Sequence, residues 1–78
     1  MDLFLVVRTF WNAQGQRSNS QEEFSTFDNA KKRFYTILGG DIGKDSVAYE
    51  IVTILNGQGI QIMVETIDNR VVEEPVEE

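Results

Sequence analysis

The chain has 78 residues and a formal net charge of −6, with neither cysteine nor histidine. This excludes a disulfide framework, a thiolate zinc site, a thiol nucleophile and imidazole acid–base chemistry. The length fits one domain whose core is small enough for a second copy to be an ordinary source of stability.

The charge is unevenly placed. Glu73, Glu74, Glu77 and Glu78 sit in a tail with Pro75, and residues 1–72 hold nine acids against seven bases. The tail, 71–78, reads as a solvated acidic appendage to a domain spanning 1–70. No basic stripe dominates the body, so neither DNA nor RNA is an expected partner. MDLFLVV is too short and lacks the basic flank of a secretory signal. No stretch reaches the roughly 20 apolar residues needed to span a bilayer, and the expected location is the cytoplasm.

In chain order, Leu3–Trp11 is apolar at both odd and even positions, which suits a first strand covered on two sides. Asn12–Glu23 turns to Asn, Gln, Gly, Ser and Arg and reads as a mobile polar loop. A helix follows, capped by Thr26 or Ser25, with Asp28 in its first turn. Phe27, Ala30, Phe34, Ile37 and Leu38 recur at helical spacing, and Gly39-Gly40 reads as a left-handed stop. Val47–Leu55 is the second strand, Asn56-Gly57-Gln58-Gly59 a hairpin turn, and Ile60–Ile67 the third strand, ended by Asp68-Asn69. The predicted fold is α+β: a β-α-β-β domain whose three-stranded sheet carries one helix on one face.

Such a helix leaves the other face of the sheet open. Leu3, Leu5, Val7, Tyr49, Ile51, Ile60, Ile62 and Val64 are assigned to the helix side. Phe4, Val6, Phe10, Val52, Ile54, Met63 and Ile67 are assigned to the opposite side, as the interface of a homo-oligomer starting from a two-fold dimer. Arg8, Glu50 and Glu65 share that side, with Glu50 and Glu65 facing each other across adjacent strands.

GGDIGKDS at 39–46 looks at first like a phosphate loop. The Walker pattern requires a glycine where Leu38 stands and Ser or Thr where Asp45 stands. The segment also leaves a helix C-terminus, where carbonyls repel anions, and Asp41 and Asp45 add to the repulsion. Calcium at these two aspartates lacks the EF-hand pattern, so no metal is assigned. The opposite pole is the better anion site. If the first two strands run parallel, Trp11, Asn12, the 56–59 hairpin and the helix N-terminus share one edge. Free helix amides with Lys31 and Arg17 in reach then make an anion site, and Trp11 offers a face for stacking. Two bland readings stand beside this one: Trp11 capping the core's edge, and Arg8 pairing with Glu50 or Glu65. No hydroxyl or amine is paired with a base, so catalytic residues and cofactors are expected to be absent.

RTFWN at 8–12, TFDNAKKRFYTILGGDIG at 26–43 and ETIDNR at 65–70 resemble small β-α-β-β proteins of phages and prophages of Gram-positive bacteria. That group shows a Trp-Asn after strand one, a Phe-Asp-x-Ala helix start, a Gly-rich stretch and a closing strand. The resemblance spans 1–70 and carries no catalytic residues across. It implies a counter-defence oligomer in an infected host that sequesters a nucleotide immune signal, with Trp11 stacking on the base and Arg8, Arg17, Lys31 or Arg33 holding phosphates at a subunit boundary. The alternatives are direct inhibition of a host immune protein, or an accessory role in virion assembly.

Overall fold

The computed structural model describes residues 3–70; the acidic tail read from the sequence lies outside them. The elements are β1 (Phe4–Trp11), β2 (Arg17–Phe24), α1 (Phe27–Asp41), β3 (Tyr49–Leu55) and β4 (Gln61–Asp68). The sheet has four strands in the order β2-β1-β3-β4, and every neighbouring pair is antiparallel. The α+β class holds, but with one strand more than expected. Arg17–Phe24, read as a loop, pairs along its whole length with β1, from Phe4 opposite Phe24 to Trp11 opposite Arg17. Its sequence, RSNSQEEF, has no apolar alternation because it is an exposed edge strand with little to bury. The crossover through α1 therefore joins β2 to β3, which flank β1, and β1 and β3 run antiparallel.

Both hairpins close with the same turn. Asn12 and Asn56 each accept at Oδ1 from the backbone N–H groups two and four residues on, at 2.9–3.0 Å. Each also exchanges backbone bonds across its turn, and Gly15 and Gly59 take φ of 85° and 81°. Asparagine side chains mimic a backbone turn, and glycine alone adopts that φ without strain. The sequences TFWNAQG and TILNGQG carry this likeness into the ends of β1 and β3. The central pair places Arg8 opposite Val52, and these two occupy equivalent places in the repeat. The two hairpins are thus related by an approximate two-fold axis through the sheet, broken by a register shift next to Leu55.

Thr26 caps α1 by accepting from Asn29 N–H at 3.2 Å, and Asp28 lies in the first turn. Ala30, Phe34 and Ile37 are buried against Val6, Val52 and Ile54, with Phe4, Phe24, Phe27, Leu38 and Met63 packed around them. The face assignment is therefore the reverse of the one expected. Phe4, Val6, Val52, Ile54, Met63 and Ile67 lie on the helix side, and Phe10 shares it, half-buried with the Arg8 guanidinium 4.1 Å above its ring. Period-two alternation separates two apolar sets but cannot say which one the helix covers. None of the seven is left on the sheet's open side for an oligomer interface.

Gly39 and Gly40 do not stop the helix. It continues to Asp41, Ile42 N–H bonds to Leu38 C=O at 3.0 Å, and the left-handed residue is Gly43 at φ 75°. Asn69, just past β4, holds this segment in place. Its Nδ2 donates to the carbonyls of Asp41 and Val47 at 2.9 Å, with Lys44 C=O at 3.3 Å, and its Oδ1 accepts from Gly43 N–H at 2.8 Å. GGDIGKDS is thus a helix end and a connection, with its backbone groups turned inward to Asn69. Among the described residues no helix is long and apolar enough to cross a membrane.

Candidate functional site

Antiparallel pairing separates the residues that the sequence placed together. The N-terminus of α1 sits at the Phe4 end of the sheet, where the Phe4 and Phe27 rings are 5.6 Å apart, and Gly57 of the second hairpin abuts Leu3. Trp11 lies at the other end, beside the chain that leaves the helix C-terminus: Ala48 N–H donates to Trp11 C=O at 2.8 Å. Lys31 stands 4.8 Å above the Phe27 ring, remote from Trp11, and Arg33 pairs with Glu22 at 2.8 Å. Neither belongs to a Trp11 site.

Trp11 does line a cavity of about 530 Å³, together with Asn12, Ala13, Gly15, Ala48, Tyr49 and Arg70. It opens on the sheet face away from the helix. The Trp11 and Tyr49 rings are 5.6 Å apart and inclined at 53°, and the Arg70 guanidinium lies 5.2 Å above Tyr49. Arg17, opposite Trp11 in the β1–β2 register, is exposed and lines not this cavity but a second hollow of about 510 Å³ with Val7, Thr9, Asn19, Ser20 and Gln21; it has no carboxylate within ion-pair distance among the described residues. Arg70 is engaged: it grips Asp68 at 2.6 and 2.8 Å, holding that carboxyl down at about 2 and raising its own pKa. Asn12 contributes wall but little free polarity, because Oδ1 accepts two turn N–H groups and Nδ2 donates to Gln16 at 3.0 Å.

No family model matches this chain, and no curated protein or solved structure is significantly similar to it.

Arg8 sits on the helix side and belongs to a different cluster. Its guanidinium donates to Asp41 Oδ2 from Nη2 at 2.8 Å and from Nε at 3.0 Å, and Nε lies 3.3 Å from Glu50 Oε1. Glu50 is fully buried, and neither carboxylate oxygen has a well-formed hydrogen bond among the described residues. Burial, reinforced by Asp41 and opposed by Arg8, pushes Glu50 up to about 7. Glu65 is exposed and stands opposite Val52, not opposite Glu50, so the expected pair of facing glutamates is not formed. The internal Arg8–Glu50 contact is present, and Asp41 is the partner the sequence did not suggest. A smaller polar hollow of about 240 Å³ lies outside this cluster, between Arg8, Ser20, Arg33, Thr36, Asp41 and Lys44. With Asp41 committed to Arg8, a calcium site built from Asp41 and Asp45 has lost one of its two carboxylates.

Of the six expected ligand residues, Trp11, Asn12 and Arg17 gather at one corner, while Arg8, Lys31 and Arg33 do not. Tyr49 and Arg70 were missed. Strand alternation puts Tyr49 on the helix side, whereas it lies beside Trp11 on the open face, and Arg70 follows the last strand with no motif around it.

Proposed function

We propose that the protein is a non-enzymatic binding protein that captures a nucleotide at the Trp11–Tyr49 corner. The supporting observation is a cavity lined by two adjacent aromatic rings, with Arg17 opposite Trp11 on the neighbouring strand and without a carboxylate partner among the described residues. A nucleobase stacks on the indole or phenol ring, a contact worth about 1–3 kcal/mol per base. Arg17 takes the phosphate, and Arg70 contributes when the phosphate competes with Asp68. The chemistry is capture, because the polar groups that line the cavity are already spent on the turn and on the Asp68 pair. The resemblance to phage and prophage proteins extends this reading to sequestration of a nucleotide immune signal in an infected cell.

A thermal-shift panel of cyclic dinucleotides and cyclic ADP-ribose derivatives tests it. A ligand at ~100 times its Kd adds about 2.7 kcal/mol of stability, roughly a 10–20 °C rise in Tm for a domain of this size. Trp11→Ala should abolish the shift and Arg17→Ala reduce it. A flat response across the panel overturns the nucleotide reading; co-purification with a host immune protein then supports direct inhibition instead.

A further inference from the structure

The sheet face away from α1 has no covering layer in the described chain. Along β1 it presents Leu5, Val7, Thr9 and Trp11, and along β3 Tyr49, Ile51, Thr53 and Leu55, all half-buried. β4 adds Ile62 and Val64, 40% and 42% exposed. The register arranges these side chains in rows across the sheet. One reads Gln21–Val7–Thr53–Val64, the next Asn19–Thr9–Ile51–Thr66, and the last Arg17–Trp11–Tyr49–Asp68. Along the two central strands apolar side chains alternate with Thr9 and Thr53, and the β2 edge is wholly polar, a mixed core with a polar rim.

Size and charge select the occupant. Four strands about 4.8 Å apart and eight residues at about 3.3 Å each give roughly 500 Å² in projection, before side-chain relief enlarges it. A specific interface takes about 800 Å² from each partner, of which the flat projection alone supplies roughly 60%. The face is also self-complementary. Two sheets packed with aligned strands are related by a two-fold axis running either along the strands or across them. An axis along the strands lays β2 over β4 of the second copy and brings Arg17 to the Asp68 corner. An axis across them lays β2 over β2 and brings Arg17 to Glu23, which closes the other end of that edge. Either way Arg17, which has no carboxylate partner among the described residues, meets one: Asp68, shared with its own Arg70, or Glu23.

We infer that the open face of the sheet, centred on Val7, Ile51 and Val64 and rimmed by Arg17, is the isologous interface of a homodimer whose two sheets pack face to face. The interface shares Arg17 and the Trp11–Tyr49 row with the proposed nucleotide site, but it is read from the unliganded chain. Stoichiometry of the unliganded chain tests the interface, whereas ligand-induced stabilisation tests the cavity, so either can fail alone.

The experiment is light scattering and sedimentation velocity of the full chain at micromolar concentration. The expected species has twice the chain mass. Val64→Glu and Ile51→Lys, both on the open face, should each give a folded monomer with unchanged far-UV circular dichroism. Arg17→Asp should weaken the dimer at least tenfold, and that loss should be restored by either Asp68→Arg or Glu23→Arg in the same chain, whichever the axis dictates. A monomeric wild type overturns the inference. So does a dimer that survives both Val64→Glu and Ile51→Lys, and so does failure of both charge reversals to restore Arg17→Asp.

Discussion

Arg8 and Asp41 join the middle of β1 to the last residue of α1, through two guanidinium nitrogens that converge on a single carboxylate oxygen at 2.8 and 3.0 Å. The contact fixes where the helix ends over the sheet, and Glu50 is enclosed behind it. Removing one member of a buried ion cluster leaves uncompensated charge, at a cost of about 3–5 kcal/mol. Arg8→Met is therefore expected to destabilise the domain by about that amount in urea titration. Replacing Arg8, Asp41 and Glu50 together with Met, Leu and Leu should cost less than Arg8→Met alone. A triple variant that is the less stable of the two contradicts this account.

Glu50 makes stability depend on pH in an uncommon direction. Its carboxyl sits near 7 in the folded chain against 4.5 when free, so between these values the folded state holds the extra proton. Stability from this group is complete below about pH 4.5 and declines as the pH rises through 7, by on the order of 3 kcal/mol. Asp68 acts oppositely: Arg70 holds it down at about 2, and its contribution is lost as the pH falls from about 4 through 2. The chain should be most stable near pH 4–5 and melt at a lower temperature at pH 8. Glu50→Gln should flatten that decline and raise Tm at pH 8; a parallel wild-type and variant profile would remove Glu50 as its cause.

Asn69 spends its whole amide on the segment after the helix, satisfying Gly43 N–H and the carbonyls of Asp41 and Val47. Asn69→Ala leaves Gly43 N–H and Val47 C=O without partners, while Asp41 C=O keeps Lys44 N–H at 3.1 Å, and each loss costs about 1 kcal/mol or more. A destabilisation of about 2–3 kcal/mol is expected by chemical denaturation. Amide exchange at Gly43 should accelerate in the same variant.

The glycines of GGDIGKDS divide by backbone conformation. Gly39 and Gly40 are exposed helical residues, and a Cβ on either meets nothing within 4 Å. Gly39→Ala and Gly40→Ala should each stabilise by about 0.5–1 kcal/mol. Gly43 at φ 75° has equal space but a left-handed backbone, so Gly43→Ala should destabilise by about 1–2 kcal/mol. Three single-variant melts decide the matter, and a stabilising Gly43→Ala would refute the conformational argument.

The helix, the two central strands and the second hairpin were legible because each has a local cause: Thr26, the Phe27–Leu38 spacing, β-branched runs, and Asn56 with Gly59. β2 was not, since a solvent-facing edge strand has little hydrophobic pattern to show. Its one signal was the Asn12–Gly15 turn, a near copy of the Asn56–Gly59 turn that was read correctly. Missing that strand made β1 and β3 look like parallel neighbours and moved the helix N-terminus to the Trp11 end of the sheet. Arg8–Glu50 could be anticipated from strand alternation, but Asp41 arrives from a helix terminus whose position only the tertiary fold determines. Trp11 and Arg17 remained in the candidate site because their proximity depends only on the first hairpin.

The matched turns also bear on the order in which the chain acquires its structure. Each hairpin brings together residues close in sequence, at little loop-closure cost, whereas joining β1 to β3 must span the whole of β2 and α1. The rate-limiting ensemble should accordingly contain both hairpins largely formed, with the seam between them still open. The Arg8 cluster lies on that seam, between β1, β3 and the end of α1. Substitutions there should hasten unfolding and leave the folding rate nearly untouched, making the cluster a latch rather than a nucleus.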